Sequence, residues 1–516
     1  MNVKNALQRN RNWLLWAVAS TFGWGLIAHG YGFLHDTFTH DSLSGLVGTG
    51  GNAWKISLGR FLVPVYRTIF RTDATLPWMV GLLSLLWIGL AVFLTIRLFQ
   101  IENKALIVLT AGIFTANITV AATAATYLHD LDGNLFGMLC GVAAVYLWRR
   151  VKFGEIPGAV CIAMSMALYQ SYISVTIVLI MLACILDILD GDTFGNIFLR
   201  GLRGVGMLLL GAVVYSLTLK AALSLSGTDA ATGSYNSLDN LLKLSPANIV
   251  ELVKAARLKC YYRLVGMTSP YPDQLIRNLT DVLIWLCGGA LLWAVIKKRI
   301  KLLNVALLAV LLWLLPLGMN LTHVLAAGES HDLMTYGVWL FWLLVLLLGD
   351  WSVKNSLGKE EKVAKPVQWI SAAMVFVLLY SNVQVSNALY LKKDLEQDAH
   401  LSMMTRVVYR MEAYEGYIPG ETPVVLVGKL DQLNANIRGF EDYANLTGTW
   451  RVDPIYQLGR HRVKAYFNVF LANPALFPED AVWNAMVQDP RVAEMPCYPA
   501  EGCIEMIDGI LVVKLG

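Results

Sequence analysis

Charge is scarce in this chain. Asp, Glu, Lys and Arg together make up 15% of its 516 residues, while 56% are hydrophobic. A soluble domain does not carry so many apolar runs of about twenty residues, so the scarcity points to a polytopic α-helical membrane protein. The net charge of +4 is too small to suggest a nucleic-acid partner. Cysteine is sparse as well. Of the seven, Cys140, Cys161, Cys184 and Cys287 fall inside apolar spans and read as inert filler, and Cys260 falls in an outer loop. No His/Cys set has the spacing of zinc ligands. The chain also lacks a Gly-rich phosphate loop, a Gly-x-Ser-x-Gly elbow and a His-Glu-x-x-His pair. The large cytoplasmic domains of an ATP-driven pump are missing. There is no internal repeat and no low-complexity tract.

What is present is a series of about eleven apolar spans, near 13–33, 77–97, 105–126, 134–148, 156–170, 171–189, 205–225, 279–296, 302–324, 333–349 and 367–390. Positive charge collects on alternate loops. Lys4, Arg9 and Arg11 precede the first span. Arg149, Arg150 and Lys152 follow on the same side, then Arg200 and Arg203, Lys297 to Lys301, and Lys354 to Lys365. The short opposite loops at 127–133 and 325–332 hold no Lys or Arg. The positive-inside rule then sets the N-terminus in the cytoplasm and, with an odd number of spans, the C-terminus outside. The first span is too long for a removed signal peptide and lacks a small-residue cleavage site. We therefore expect a transmembrane domain over 1–390 with outer loops at 34–76 and 226–278. A small α/β domain follows over 391–516.

The outer regions carry the polar chemistry. Leu58, Leu62, Val65 and Ile69 form one helical stripe over about 54–71, and Arg60, Arg67 and Arg71 form the opposite one. Such a helix lies in the membrane plane, kinked or split at Pro64. Its arginines either rest against lipid headgroups or grip a phosphate, whose oxygens suit the guanidinium fork. A second basic helix follows Ser245-Pro246, with Lys254, Arg257 and Arg263 beside Tyr261 and Tyr262. In the tail, 391–413 reads as helix, and Thr422–Gly428 and Gly509–Lys514 read as strands. Cys497 and Cys503 bracket five residues that include Pro499 and Gly502, and topology puts them in an oxidising compartment. A local disulfide is expected.

Acidic residues on the outer side are few. Asp36 and Asp41 lie in the first outer loop, His35-Asp36-Thr37-Phe38-Thr39-His40-Asp41. Asp130 and Asp132 lie in the short loop between the third and fourth spans. An Asp-x-Asp pair can hold a divalent cation, and Asp132 or Asn134 can equally cap the fourth span. His331-Asp332, near His323 and Glu329, makes a third polar site. The third span is rich in Ala and Thr around Asn117, which suits close helix packing or a polar cavity wall.

Several of these pieces resemble the Gtr-type membrane glucosyltransferases, the serotype-converting enzymes that decorate bacterial O-antigen. One piece is Asp41-Ser42 followed by Gly59-Arg60-Phe61-Leu62 and a Pro77 that opens the second span. The other is Ala167-Leu168-Tyr169-Gln170-Ser171-Tyr172 near the outer end of the fifth. A tail with a Pro-Val-Val-Leu-Val-Gly strand is similar too, so the likeness runs over most of the chain. It implies a fold of the GT-C type and transfer of a sugar, glucose in that family, from a polyprenyl-phosphate carrier to a cell-surface polysaccharide on the periplasmic face of the inner membrane. It also implies a catalytic carboxylate in the first outer loop, which places that role on Asp41, with Asp36 as the neighbour outside the matched piece.

That chemistry agrees with the residues. An acceptor hydroxyl must lose a proton as it attacks the anomeric carbon, and a carboxylate can take it. The phosphate leaving group needs its charge stabilised, by arginines or by a metal ion. Arg60, Arg67, Arg71 and Arg257 are the phosphate candidates, and Asp130, Asp132, Tyr169, Gln170 and His331 complete the expected site. No cofactor is called for and a divalent metal is left open. The expected partners are the lipid-linked donor, a polysaccharide acceptor and membrane lipid, together with a separate donor synthase and flippase. The rivals are a flippase of lipid-linked sugars and an O-antigen polymerase or ligase. Ionisable residues clustered outside, rather than along a path through the bilayer, favour an enzyme.

Overall fold

The computed structural model describes residues 3–35, 51–233, 243–266, 274–428, 446–448 and 459–516, with side chains from residue 8 and, in the last stretch, from residue 463. Of the described residues, 75% are helical, and a small sheet lies near the C-terminus. Helix is what an apolar chain must form in lipid, because every backbone N–H and C=O is then paired within its own segment.

The chain opens with α1 (Val3–Leu34), then two short helices, α2 (Asn52–Ser57) and α3 (Leu62–Phe70). Four helices follow: α4 (Pro77–Phe99), α5 (Lys104–Thr115), α6 (Ile118–Arg150) and α7 (Glu155–Tyr169). A 3-10 turn at Gln170–Tyr172 leads into α8 (Ile173–Leu189) and α9 (Phe194–Ser226). Then come α10 (Ile249–Leu264), α11 (Gln274–Lys297), α12 (Leu302–Met319) and the short α13 (Leu321–Leu325). A 3-10 turn at Asp332–Met334 precedes α14 (Tyr336–Lys354) and the long α15 (Glu361–Glu412). The tail adds β1 (Val424–Val427), α16 (Gly459–Phe470), α17 (Asp480–Val487), α18 (Pro490–Glu494), β2 (Ile504–Ile507) and β3 (Ile510–Lys514).

Local signals set several boundaries. Pro77 opens α4, where its missing N–H costs nothing, and the helix ends at Gln100 with a left-handed φ of 54°. Thr193 caps α9 by accepting from Asn196 N, and Gly227 closes it at φ 63°. Among the described residues, eight helical stretches are long and apolar enough to cross a membrane. Two of them, 104–150 and 155–189, are each built from two helices of the bundle. α1 is not among the eight, because its tryptophans, glycines and His29 hold down its apolar average.

One end of the bundle is basic and tied by ion pairs. There Asp187 accepts from both Arg149 and Arg200, and Trp351 Nε1 donates to Asp190 at 2.8 Å. At the other end, here called the mouth, α1 and α7 stop and α4 and α14 begin. Helices α5, α6, α8 and α14 form the centre, with Phe114, Leu131, Val178 and Leu340 fully buried. α9, α11 and α12 turn residues such as Leu209, Trp285 and Leu303 outward, as lipid-facing helices do.

α15 is 52 residues long and continuous across residue 390. Its first part packs into the bundle through Val375, Leu379 and Leu389, and its last turns pack into the tail through Met404, Val407 and Met411. The tail sheet has the order β1-β3-β2, with β1 parallel to β3 (Val424 opposite Leu511) and β2 antiparallel to it. The β2–β3 hairpin turns on Asp508-Gly509, both at positive φ, the backbone that tight hairpins require. β1 and β3 match the strands read from the sequence, and β2 is an addition.

Candidate functional site

The in-plane helix expected over 54–71 is two helices, α2 and α3, separated by Leu58-Gly59-Arg60-Phe61. The break precedes Pro64, which sits in the first turn of α3. Of the apolar stripe, Leu58 is buried at 1% exposure, but the two stripes part company in α3. Arg67 and Arg71 are buried at 6% and 7% exposure, while Val65 and Ile69 are 49% and 68% exposed. At a membrane surface, apolar residues face outward and charged ones find partners inside.

The linker between α2 and α3 is held by the other sequence piece that carried the resemblance. Gln170 Nε2 donates to Leu58 O at 2.8 Å and to Tyr215 Oη at 3.1 Å. Tyr215 Oη donates to Gly59 O at 3.1 Å, and its ring stacks on Phe61. Gly59 has φ 79°, where a side chain would be strained. With both carbonyls fixed, Arg60 is presented over Tyr169, its Cζ 4.8 Å from the ring centre. Arg60 Nε has no hydrogen-bond partner among the described residues.

The carboxylates come from α6. This helix is broken at Tyr127 (φ −132°, ψ 51°), so that 118–126 is one helical piece and 128–150 another. The loop expected at 127–133 is thus helical apart from Tyr127, and Asp132 and Asn134 lie inside the helix rather than at a cap. Asn117 caps the first piece instead, accepting from Val120 N at 3.1 Å. Asp130 falls in the first turn of the second piece and Asp132 just after it, near a helix N-terminus that favours negative charge.

Both carboxylates are buried and paired. Asp130 accepts from Lys55 Nζ and, at 2.6 Å, from Arg67 Nη2. Asp132 accepts from Arg71 Nε at 2.8 Å and Nη2 at 3.3 Å. Arg71 also donates to His129 O, and at 2.9 Å to Ala74 O. Burial pulls the Lys55 pKa below its usual value against the opposing pull of Asp130. Among the described residues, Lys55, Arg60, Arg67 and Arg71 bring four positive charges to this corner of the mouth and Asp130 and Asp132 two negative ones, an excess of cation. Buried charge without an internal partner is costly, and an anionic ligand would offset it.

Of the other expected residues, Asp36 and Asp41 lie outside the described residues. Among the described residues Arg257 has no contact with the cluster; it stacks on Trp313 of α12, Cζ 4.7 Å from the ring centre. His331 is half-buried beside Asp332, and burial lowers its pKa. Asp332 itself is buried and lies 3.5 Å from Arg263 Nε. Cys503 is buried in the tail core and Cys497 is exposed, both as free thiols, so the expected bridge is not formed in this structure. Among the described residues, no three His, Cys, Asp or Glu side chains come together as a metal site. Sequence reasoning passed over Lys55, which lies off the arginine stripe, and Tyr215, which carries no signal inside an apolar helix.

Comparison with known proteins supplies the last observation. The model of the family described as Glucosyl transferase GtrII matches residues 30–348, more than half of the chain and all of the mouth residues from Lys55 to Asp332. No curated protein and no solved structure matches the chain. The matched stretch contains both sequence pieces that meet at Arg60. The chain belongs to the GtrII glucosyl transferase family.

Proposed function

We propose that this transferase takes glucose from a polyprenyl-phosphate carrier at the mouth of the bundle and passes it to a surface polysaccharide on the periplasmic side. The observation that carries the reading is Arg60. It is held by two pinned carbonyls, stacked on Tyr169, and has no carboxylate partner among the described residues, in a corner already rich in cations. A phosphate suits that position, and the membrane setting suits a lipid carrier. The basic opposite end supports a cytoplasmic placement there and a periplasmic mouth.

In the reaction, the acceptor oxygen forms a bond to the anomeric carbon as the carbon–oxygen bond to phosphate breaks. The phosphate keeps the electron pair, and Arg60, aided by Lys55 and Arg67, offsets its charge. The acceptor proton goes to a carboxylate. Asp130 and Asp132 are each committed to cationic side chains, so a base in the first outer loop, Asp41 with Asp36 as its neighbour, agrees better with the chemistry. Membranes containing the protein should transfer glucose from a synthetic short-chain prenyl-phosphate glucose and not from a sugar nucleotide alone. Transfer from the sugar nucleotide in the absence of any lipid phosphate would reject the donor assignment. Mass spectrometry of surface polysaccharide from cells with and without the protein would identify sugar and acceptor.

A further inference from the structure

Three tail residues do not belong to the tail. Leu446 is fully buried and packs in the hydrophobic core of the bundle rather than in the core built by β1, β3 and α16. Thr447 is clasped by Asp332: its N–H and its hydroxyl each donate to Asp332 Oδ2 at 3.1 Å, and Asp332 N–H donates back to Thr447 Oγ1 at 3.3 Å. Gly448 has φ 96°, and a Cβ there would stand 2.8 Å from Ala125 Cβ and 3.0 Å from Thr126 Oγ1. Only glycine satisfies both the backbone and the space.

The surface these residues meet is the first piece of α6, residues 118–126. All nine are buried. Near its C-terminal end, Ala125 O accepts from Lys393 Nζ, and Ala122 O lies 3.4 Å from where a Gly448 Cβ would stand. At its other end Thr119 Oγ1 donates to Asp332 O at 2.8 Å. Asp332 thus joins the tail segment to the half-helix whose break sets the direction of Asp130 and Asp132, a few residues further on.

We infer that the Thr447–Asp332 clasp is a positioning device, by which the C-terminal tail fixes the broken end of α6 and so holds the Asp130 pairs with Lys55 and Arg67 in place for the donor phosphate. The phosphate part rests on the function proposed above; the mechanical part does not. Thr447 and Asp332 are positioning residues and touch no reacting atom.

The test uses the full chain in lipid nanodiscs, with hydrogen exchange over 122–132 and affinity for a short-chain prenyl phosphate as the two readouts. Thr447→Val should speed exchange in that stretch about five- to tenfold, the factor expected for loss of one hydroxyl's hydrogen bonds. It should also weaken prenyl-phosphate binding several-fold. Thr447→Ser, which keeps the hydroxyl, should restore both. Unchanged exchange in Thr447→Val and Gly448→Val overturns the proposal. Faster exchange with unchanged prenyl-phosphate affinity overturns its positioning part. If wild-type protein binds no prenyl phosphate, the proposed donor fails instead, and the exchange readout, which needs no ligand, still decides the clasp.

Discussion

Arg60 Cζ stands 4.8 Å from the centre of the Tyr169 ring, and the two residues come from sequence pieces more than a hundred positions apart. The contact leaves the guanidinium's N–H edge available while its face is covered. Arg60→Lys keeps the charge and loses both the fork and the stacking. Transfer should fall by about 10–100-fold with protein level unchanged. Wild-type rates in that variant, measured with the prenyl-phosphate donor, would move phosphate recognition to Lys55 or Arg67.

Support for Arg60 can be removed without touching it. Tyr215→Phe takes away the donor to Gly59 O, and Gln170→Leu the donor to Leu58 O. Each should cost about 1 kcal/mol of local stability and reduce transfer several-fold, with donor KM rising more than kcat falls. A kcat effect with unaltered KM would mean that the linker serves a later step.

Asp130 and Asp41 should fail in different ways. Asp130→Asn leaves Lys55 and Arg67 buried with no anionic partner. The loss is expected to be structural, about 3–5 kcal/mol, seen as a lower melting temperature in detergent. Asp41→Asn should leave the melting temperature unchanged and lower transfer by about 10²–10⁴-fold, the usual worth of a general base, with Asp36→Asn costing less. Stable, fully active Asp41→Asn would end the assignment of the base to that residue.

His323 makes stability depend on pH. Burial, with Lys259 and Arg263 nearby, draws its pKa down from 6.5 to about 4. The unfolded chain therefore takes up a proton as pH falls through about 6.5 while the folded one does not until about 4, so stability is lost on acidification across that window. The loss should reach about 1–2 kcal/mol at pH 5. His323→Gln should flatten the melting temperature between pH 7 and pH 5, and an unchanged slope would show that other groups set it.

Topology is open to a direct test. A periplasm-dependent phosphatase fused after Gly516 should be active, and one fused near Lys354 should be silent. The reverse pattern would put the mouth in the cytoplasm and remove the lipid-linked donor from its side of the membrane.

The arginine stripe of α3 shows how far the sequence could be read. Periodicity placed Arg67 and Arg71 on one face and Val65 and Ile69 on the other, and both faces exist. It could not say which face points inward, because at a bilayer surface the apolar face has two places to go. The break at Tyr127 carries no Pro or Gly signal. β1 and β3 were legible as apolar runs. β2 was missed although Asp508-Gly509 marks its hairpin. The docking of Leu446-Thr447-Gly448 on α6 joins positions over three hundred residues apart, and nothing local announces it. Lys55 lies off the stripe, and only the three-dimensional meeting with Asp130 gives it a meaning.

The uninterrupted α15 gives the molecule a phase. Bundle and tail are threaded on one shaft, about 78 Å long at 1.5 Å per residue. Each added residue between Tyr390 and Met404 would rotate the tail by about 100° and raise it by 1.5 Å. Spacing in this stretch is therefore quantised. An insertion of seven residues, close to two whole turns, would return the tail to nearly its original bearing about 10 Å further out, whereas one or two would face it away from the bundle. Length variation here should be read in turns of helix, as one reads the teeth of a gear, and not in residues.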